Sequence, residues 1–351
     1  MPSATLQCPT KAGDSVCCAI GPDPRAGGRI ASRVAVLLSC FLLAATLASA
    51  ADPWPNRPLR VIVPYGAGGS YDAIARVVSS RLAEQISQPV IVDNRPGAAG
   101  RIAMELAVKS PSDGYALVVI GNSQTIVPSV YVKVPYDLAR DLAYVSMVAT
   151  VANALLINPS VPAQTIGEFV ALSRAKPGTM RFGSGGTGSS GHLACELIRS
   201  MTGADLTHIP YKGAALAVTA LLSNEVQMYV SNLVNAVPQV QSGKLRALAV
   251  TGLRRSPMLP GVPTLDETVA KGYDIVEFHG MAMPRGTPAG IITRLNQEID
   301  KALGSAELRA RFATQGAEPA PSAPQSFERF VLAEQAKYAK IVRSVGLKPE
   351  D

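Results

Sequence analysis

The sequence predicts a two-domain α/β protein, and three observations carry that prediction. Short β-branched runs alternate with amphipathic helical segments along most of the chain, the pattern of parallel α/β architecture. A length of 351 residues with 47% apolar content suits about two domains with sizeable cores. One motif, strand then glycine-rich turn then helix, occurs twice, at Leu59–Asp72 and again at Met180–His192.

The first fifty residues stand apart. Residues 34–50 read VAVLLSCFLLAATLASA, follow Arg25, Arg29 and Arg33, and end in Ala48-Ser49-Ala50, the small-x-small pattern of a signal-peptidase site. A transmembrane helix needs about 20 apolar residues. This run is shorter and leads straight into Asp52 and Pro53, so residues 1–50 are expected to be a secretory signal with a long leader, cleaved near Ala50. Cys40 follows Leu37-Leu38-Ser39, but Leu38 and the continuing apolar run argue against lipidation there. Cleavage would remove Cys8, Cys17, Cys18 and Cys40 and leave Cys195 alone. An exported chain with one cysteine has no intramolecular disulfide, so its core must hold it together. Cys195, among Leu193, Ala194 and Leu197 on a helical segment, reads as a small buried hydrophobe.

Along the remaining chain, LRVIVPY (Leu59–Tyr65) reads as a strand, followed by a helix with Ile74, Val77, Val78, Leu82 and Ile86 on one face. PVIVDN (Pro89–Asn94) is the next strand, then a helix from about Ala98 to Lys109. YALVVIG (Tyr115–Gly121) is apolar almost throughout, as a buried parallel strand should be. Strands are also expected at Val151–Pro159, Met180–Ser184, Thr207–Tyr211, Val226–Asn232 and Leu245–Gly252. Thr287-Pro288 opens a helix carrying Ile291, Ile292, Leu295, Ile299 and Leu303, and a last helix spans about Ser326 to Val345.

The repeated motif is the most informative feature. GAGGSYD (Gly66–Asp72) and GSGGTGSSGH (Gly183–His192) each join a strand to a helix start and each bring hydroxyl side chains. Such a turn offers unpaired backbone N–H groups and the positive end of a helix dipole to an anion. Two such sites facing each other would hold a small dicarboxylate by its ends. The plainer alternative makes each loop a connection with Ser70 and Ser190 as N-caps.

Other chemistries are disfavoured. The excess of seven positive charges is dispersed, with only Arg254 and Arg255 adjacent, so no basic stripe suggests nucleic acid. Gly183, Gly185 and Gly188 fit G-x-G-x-x-G with Asp205 downstream, but Asp205 precedes the next strand where a dinucleotide-binding acid would end it. No G-x-S-x-G elbow occurs. His192, His208 and His279 are too dispersed for a metal site, and Asp137, Asp141 and Glu168 are not paired for acid–base work. No enzyme, metal or cofactor is expected.

The ordered segments RPLRVIVPYGAGGSYDAIAR, VDNRPGAAGRIA, SPSDGYAL, VPYDLARDL, FGSGGTGSSGHLACEL, HIPYKGAALAVTALL, SGKLRALAVTGLRRSP, GVPTLDE and TQGAEP resemble the Bug family, the periplasmic receptors of tripartite tricarboxylate transporters. The resemblance covers about Trp54 to Gly346. It implies a two-domain periplasmic-binding-protein (Venus-flytrap, type II) fold, a cleft for a small carboxylate, handover to membrane permease subunits, and a monomeric receptor in the periplasm. The same module serving a sensory partner, and an exported α/β enzyme, are the competing readings. Crossings between domains are implied near Val151–Ala154 and Asp274–Phe278, giving domain one as residues 51–153 and 276–351 and domain two as residues 154–275.

Carried over by residue, the first family loop falls on Tyr65, Gly68, Gly69, Ser70 and Asp72, and the second on Gly185, Gly186, Ser189, Ser190 and His192. Ser123 after the third strand, and Tyr211 with Lys212, are implied to border the same cleft. Where the family often has Asp-Asn this chain has Ser231-Asn232, and a family Trp-Phe/Tyr-Gly stretch reads Phe278-His279-Gly280. The first loop also lacks two family prolines and gains Tyr71. These departures fall where the far end of a ligand would lie.

Overall fold

The computed structural model describes residues 54–349, so the expected signal segment and its four cysteines lie outside the described residues. The chain repeats one topological unit. First come β1 (Leu59–Val63), α1 (Ser70–Ile86), β2 (Val90–Asn94), α2 (Arg101–Val108) and β3 (Ala116–Gly121), which pair in parallel in the order β2-β1-β3. They continue into α3 (Asn122–Val130) and β4 (Leu142–Val151). Ala152 alone then links β4 to β5 (Asn153–Ile157), which belongs to a second sheet, and α4 (Ile166–Ala175) follows. The unit then recurs as β6 (Arg181–Ser184), α5 (Ser190–Thr202), β7 (Thr207–Pro210), α6 (Ala214–Leu222) and β8 (Met228–Asn232), parallel in the order β7-β6-β8. It likewise continues into a helix, α7 (Leu233–Gln241), and a strand, β9 (Arg246–Val250).

The chain finally returns to the first sheet through β10 (Glu277–Pro284), then α8 (Ala289–Gly304), α9 (Ala306–Thr314), β11 (Ala317–Pro319) and α10 (Pro324–Ser344). The sheets read β11-β4-β10-β3-β1-β2 and β7-β6-β8-β5-β9. Both are mixed, where the sequence predicts parallel pairing: β10 runs antiparallel between β3 and β4, and β5 antiparallel between β8 and β9. A strand reached through a helix on the sheet face must be parallel to its predecessor, whereas one that enters directly from another sheet is free of that rule. Residues 151–159, read as a single strand, therefore divide between two sheets.

Strand alternation sorts the first core into two layers. Leu59, Val61 and Val63 face Ile74, Val78 and Leu82 of α1 together with Leu295 and Ile299 of α8. Ile62, Val118 and Ile120 face Met104 of α2 and Phe327 of α10. Around the second sheet, Phe182, Met228 and Val230 pack with Leu193 and Ile198 of α5, while Leu156 and Tyr229 pack with Leu221 and Leu233. Cys195 is fully buried in the former layer, as its apolar neighbours predict.

Helix α10 touches both sheets: Phe327 and Val331 lie in the first core, Tyr338 and Val342 in the second. Asn122, fully buried, ties this helix to the returning strand. Its Oδ1 accepts from the Phe278 N–H at 2.8 Å, and its Nδ2 donates to the Val276 carbonyl at 3.0 Å and to the Tyr338 hydroxyl.

Candidate functional site

A cavity of about 320 Å³ lies at the carboxyl ends of the parallel strands, the position where open α/β sheets collect ligands. Helix starts from both repeats make its wall. The first sheet supplies Gly66–Tyr71 at the start of α1, Ser123 in the first turn of α3, and Glu277 at the start of β10. The second supplies Ser189–Gly191 at α5, Gly213–Ala215 at α6, Asn232 and Asn235 at α7, and Asn153, Tyr229 and Val230 from its strands. Five helix N-termini thus meet one small space, each with backbone N–H groups that lack intrahelical partners.

Among the described residues the wall holds no Lys, Arg or His. Its single ionised-type side chain is Glu277, 4% exposed, whose Oε2 accepts from the Ser70 hydroxyl at 3.4 Å. Burial pushes the Glu277 carboxyl up to about 7, with hydrogen bonds from Asn232 and Ser70 pulling the other way. The Tyr65 and Tyr71 rings lie 4.8 Å apart at a tilt of 52° on the first-sheet side, and Tyr71 meets His279 edge-on at 4.6 Å. The phenols of Tyr65, Tyr71 and Tyr229 are all pushed up by burial and stay neutral.

The profile of the tripartite tricarboxylate transporter family receptor matches residues 74–347. The chain belongs to that family. This tripartite tricarboxylate transporter receptor is 36% identical to Protein BugT of Bordetella pertussis over 321 residues, 90% of this chain and 98% of BugT. Among solved structures, R. palustris Rpa4515 with adipate is 34% identical, with a TM-score of 0.82 over 85% of this chain and 100% of that one. MatC from Rhodopseudomonas palustris with bound malate is 28% identical, with a TM-score of 0.77 over 82% and 100%. The chain is a Bug-type solute-binding receptor with the α/β fold of periplasmic binding proteins.

Within this receptor, nine of the residues expected from sequence line the cavity: Tyr65, Gly68, Gly69, Ser70, Ser123, Gly185, Ser189, Ser190 and Asn232. The others do not, each for a visible reason. Asp72 turns back on its own loop, accepting from the Gly68 N–H at 3.0 Å and pairing with Arg76 at 2.9 Å, contacts that hold its carboxyl below the usual range despite partial burial. Gly186 shapes the second loop from outside the wall; its φ of +120° lies where only glycine is comfortable. His192 is 2% exposed and stacks on His208 at 4.0 Å, while its Nδ1 accepts from the Gly188 N–H at 3.3 Å. Burial pushes it down to about 3, so it braces the loop as a neutral ring.

Tyr211 donates to Glu225 at 2.8 Å and Lys212 is exposed, leaving Gly213–Ala215 to represent their segment in the wall. Ser231 is buried beneath the surface with its hydroxyl unpartnered, one step out of register with Asn232. His279 is fully buried behind Tyr71, two residues beyond Glu277 on the fully buried strand β10. The helix caps also lie one residue before those of the plainer alternative: Gly69 caps α1 and Ser189 caps α5, in place of Ser70 and Ser190. Asp205, the decoy ribose acid, accepts from the Gly178 N–H at 2.8 Å away from the cavity.

Asn153, Tyr229, Asn235 and Glu277 are wall residues that the sequence reading missed. Glu277 did carry a signal. It is the acid directly before the Phe278-His279-Gly280 stretch, and an acid opening an apolar strand needs a reason.

Proposed function

We propose that this receptor is exported, cleaved near Ala50, and captures a small carboxylated solute between the two glycine loops, delivering it to the membrane permease of a tripartite tricarboxylate-type transporter. The supporting observation is the convergence of five helix N-termini on one cavity without any cationic side chain. Backbone N–H groups and the Ser123, Ser189 and Ser190 hydroxyls are the natural partners of a carboxylate there, the Ser70 hydroxyl being given to Glu277, and each charge-assisted bond contributes about 1.5–3 kcal/mol. The adipate and malate of the two solved relatives support a carboxylate as the ligand class. In this reading the first lobe comprises residues 51–153 and 276–351, the second residues 154–275, and the receptor works as a monomer.

The test uses mature protein from the periplasmic fraction, whose intact mass should match residues 51–351. A thermal-shift screen against carboxylic acids should raise the melting temperature for at least one, because a ligand of the native state alone stabilises it. A site of neutral donors should lose less than about tenfold in affinity between low and physiological salt. No shift with any carboxylate would overturn the reading.

A further inference from the structure

We propose that Glu277 makes this receptor selective for carboxylates that also carry a cationic amino group, the ammonium pairing with Glu277 and the carboxylate taking the helix N-termini of the second sheet. The inference rests on the carboxylate-receptor reading above and names the ligand class within it. Glu277 is the one charged side chain in the cavity wall, and it has no ion-pair partner among the described residues. A carboxylate 4% exposed is rarely left without a cation, since neutral partners repay only part of its lost hydration.

Position matters as much as charge. Glu277 already takes the Ser70 hydroxyl in the first turn of α1, so the protein's own acid occupies one of the two anion positions that the paired loops offer. What remains for a ligand carboxylate is the opposite wall, Ser189 and Ser190 at α5 and Gly213–Ala215 at α6. A dicarboxylate bound there would bring its second charge towards Glu277, and like charges at close range disfavour one another. An ammonium at that end instead supplies the missing cation. The titratable groups around Glu277 are the phenols of Tyr65, Tyr71, Tyr229 and Tyr338, all kept neutral by burial, so no other group plays the counter-ion.

Titration calorimetry at pH 8 on the mature receptor compares α- and ω-amino carboxylates of three to six carbons with the matching dicarboxylates and unsubstituted acids. At least one amino carboxylate should bind ten- to a hundredfold tighter than its dicarboxylate, the range of one charge-assisted contact. At pH 7, repeated in buffers of different ionisation enthalpy, its binding should release about half a proton as Glu277 becomes fully ionised. Glu277→Gln, nearly isosteric and able to keep the Ser70 contact, should still melt cooperatively, lose the proton release, and equalise or reverse the preference. Dicarboxylates that bind the parent as well as amino carboxylates do, or a preference that survives in Glu277→Gln, would overturn the inference and leave the carboxylate receptor standing. Failure of every acid in the panel would overturn both.

Discussion

Glu277 and the three histidines, two buried and His208 partly so, respond to pH in opposite directions. The Glu277 carboxyl sits near 7 in the fold against an ordinary 4.5, so its contribution is fully favourable below about 4.5 and is lost as pH rises through about 7. His192 and His279, pushed down to about 3, and His208, pushed down to about 4, do the reverse. Their contribution is complete above the ordinary 6.5 and is lost as pH falls through those values. Glu277→Gln isolates the first effect. Its stability relative to the parent, from urea unfolding of the ligand-free proteins, should grow between pH 4.5 and 7 by as much as about 3 kcal/mol and then level off. A difference independent of pH would show that Glu277 is not held in a desolvated site.

At the scale of the element, helix α5 separates stability from binding between two adjacent serines. The Ser189 Oγ accepts from the His192 N–H at 3.3 Å and caps the helix, while Ser190 is the first helical residue and only lines the cavity. Ser189→Ala should therefore cost about 1 kcal/mol of stability in thermal or urea unfolding, whereas Ser190→Ala should unfold like the parent and show its loss in ligand affinity. Equal destabilisation by the two changes would contradict this division. The loop itself is held by a different contact: a Cβ on Gly188 would lie 2.7 Å from Val130 Cγ2, so the turn before α5 must pack directly against α3.

At the scale of the molecule, the cavity wall is shared between sheets that are joined by few segments: Ala152 between β4 and β5, the stretch from β9 to β10, and helix α10 lying on both cores. A ligand that touches α1 on one side and α5 on the other binds a closed form better than an open one, so it must shift that population. Small-angle scattering of the mature receptor with and without saturating ligand should show a smaller radius of gyration in the bound state. An unchanged radius at saturation would mean that the two walls do not move together.

The sequence by itself determined the α/β class, the doubled strand–loop–helix unit and the two glycine loops. These are local signals, carried by β-branched runs, by glycines such as Gly68 and Gly188 that sit at positive φ, and by the hydroxyls that follow them. The family resemblance added Ser123 and Asn232, which also line the cavity. Only the tertiary structure decided the rest. Strand β5 opens the second sheet and β10 returns to the first, each arriving from the other sheet, and their pairing partners lie far away in the chain, so periodicity carries no record of their direction. Whether a polar residue faces the cavity turns on single-residue register. Asn232 lines it and Ser231 does not; Glu277 and His279, two residues apart on one face of the same strand, differ instead in depth, with His279 packed behind Tyr71. Burial then set the chemistry, turning the histidines into neutral packing and an unremarked glutamate into the one charged group of the site.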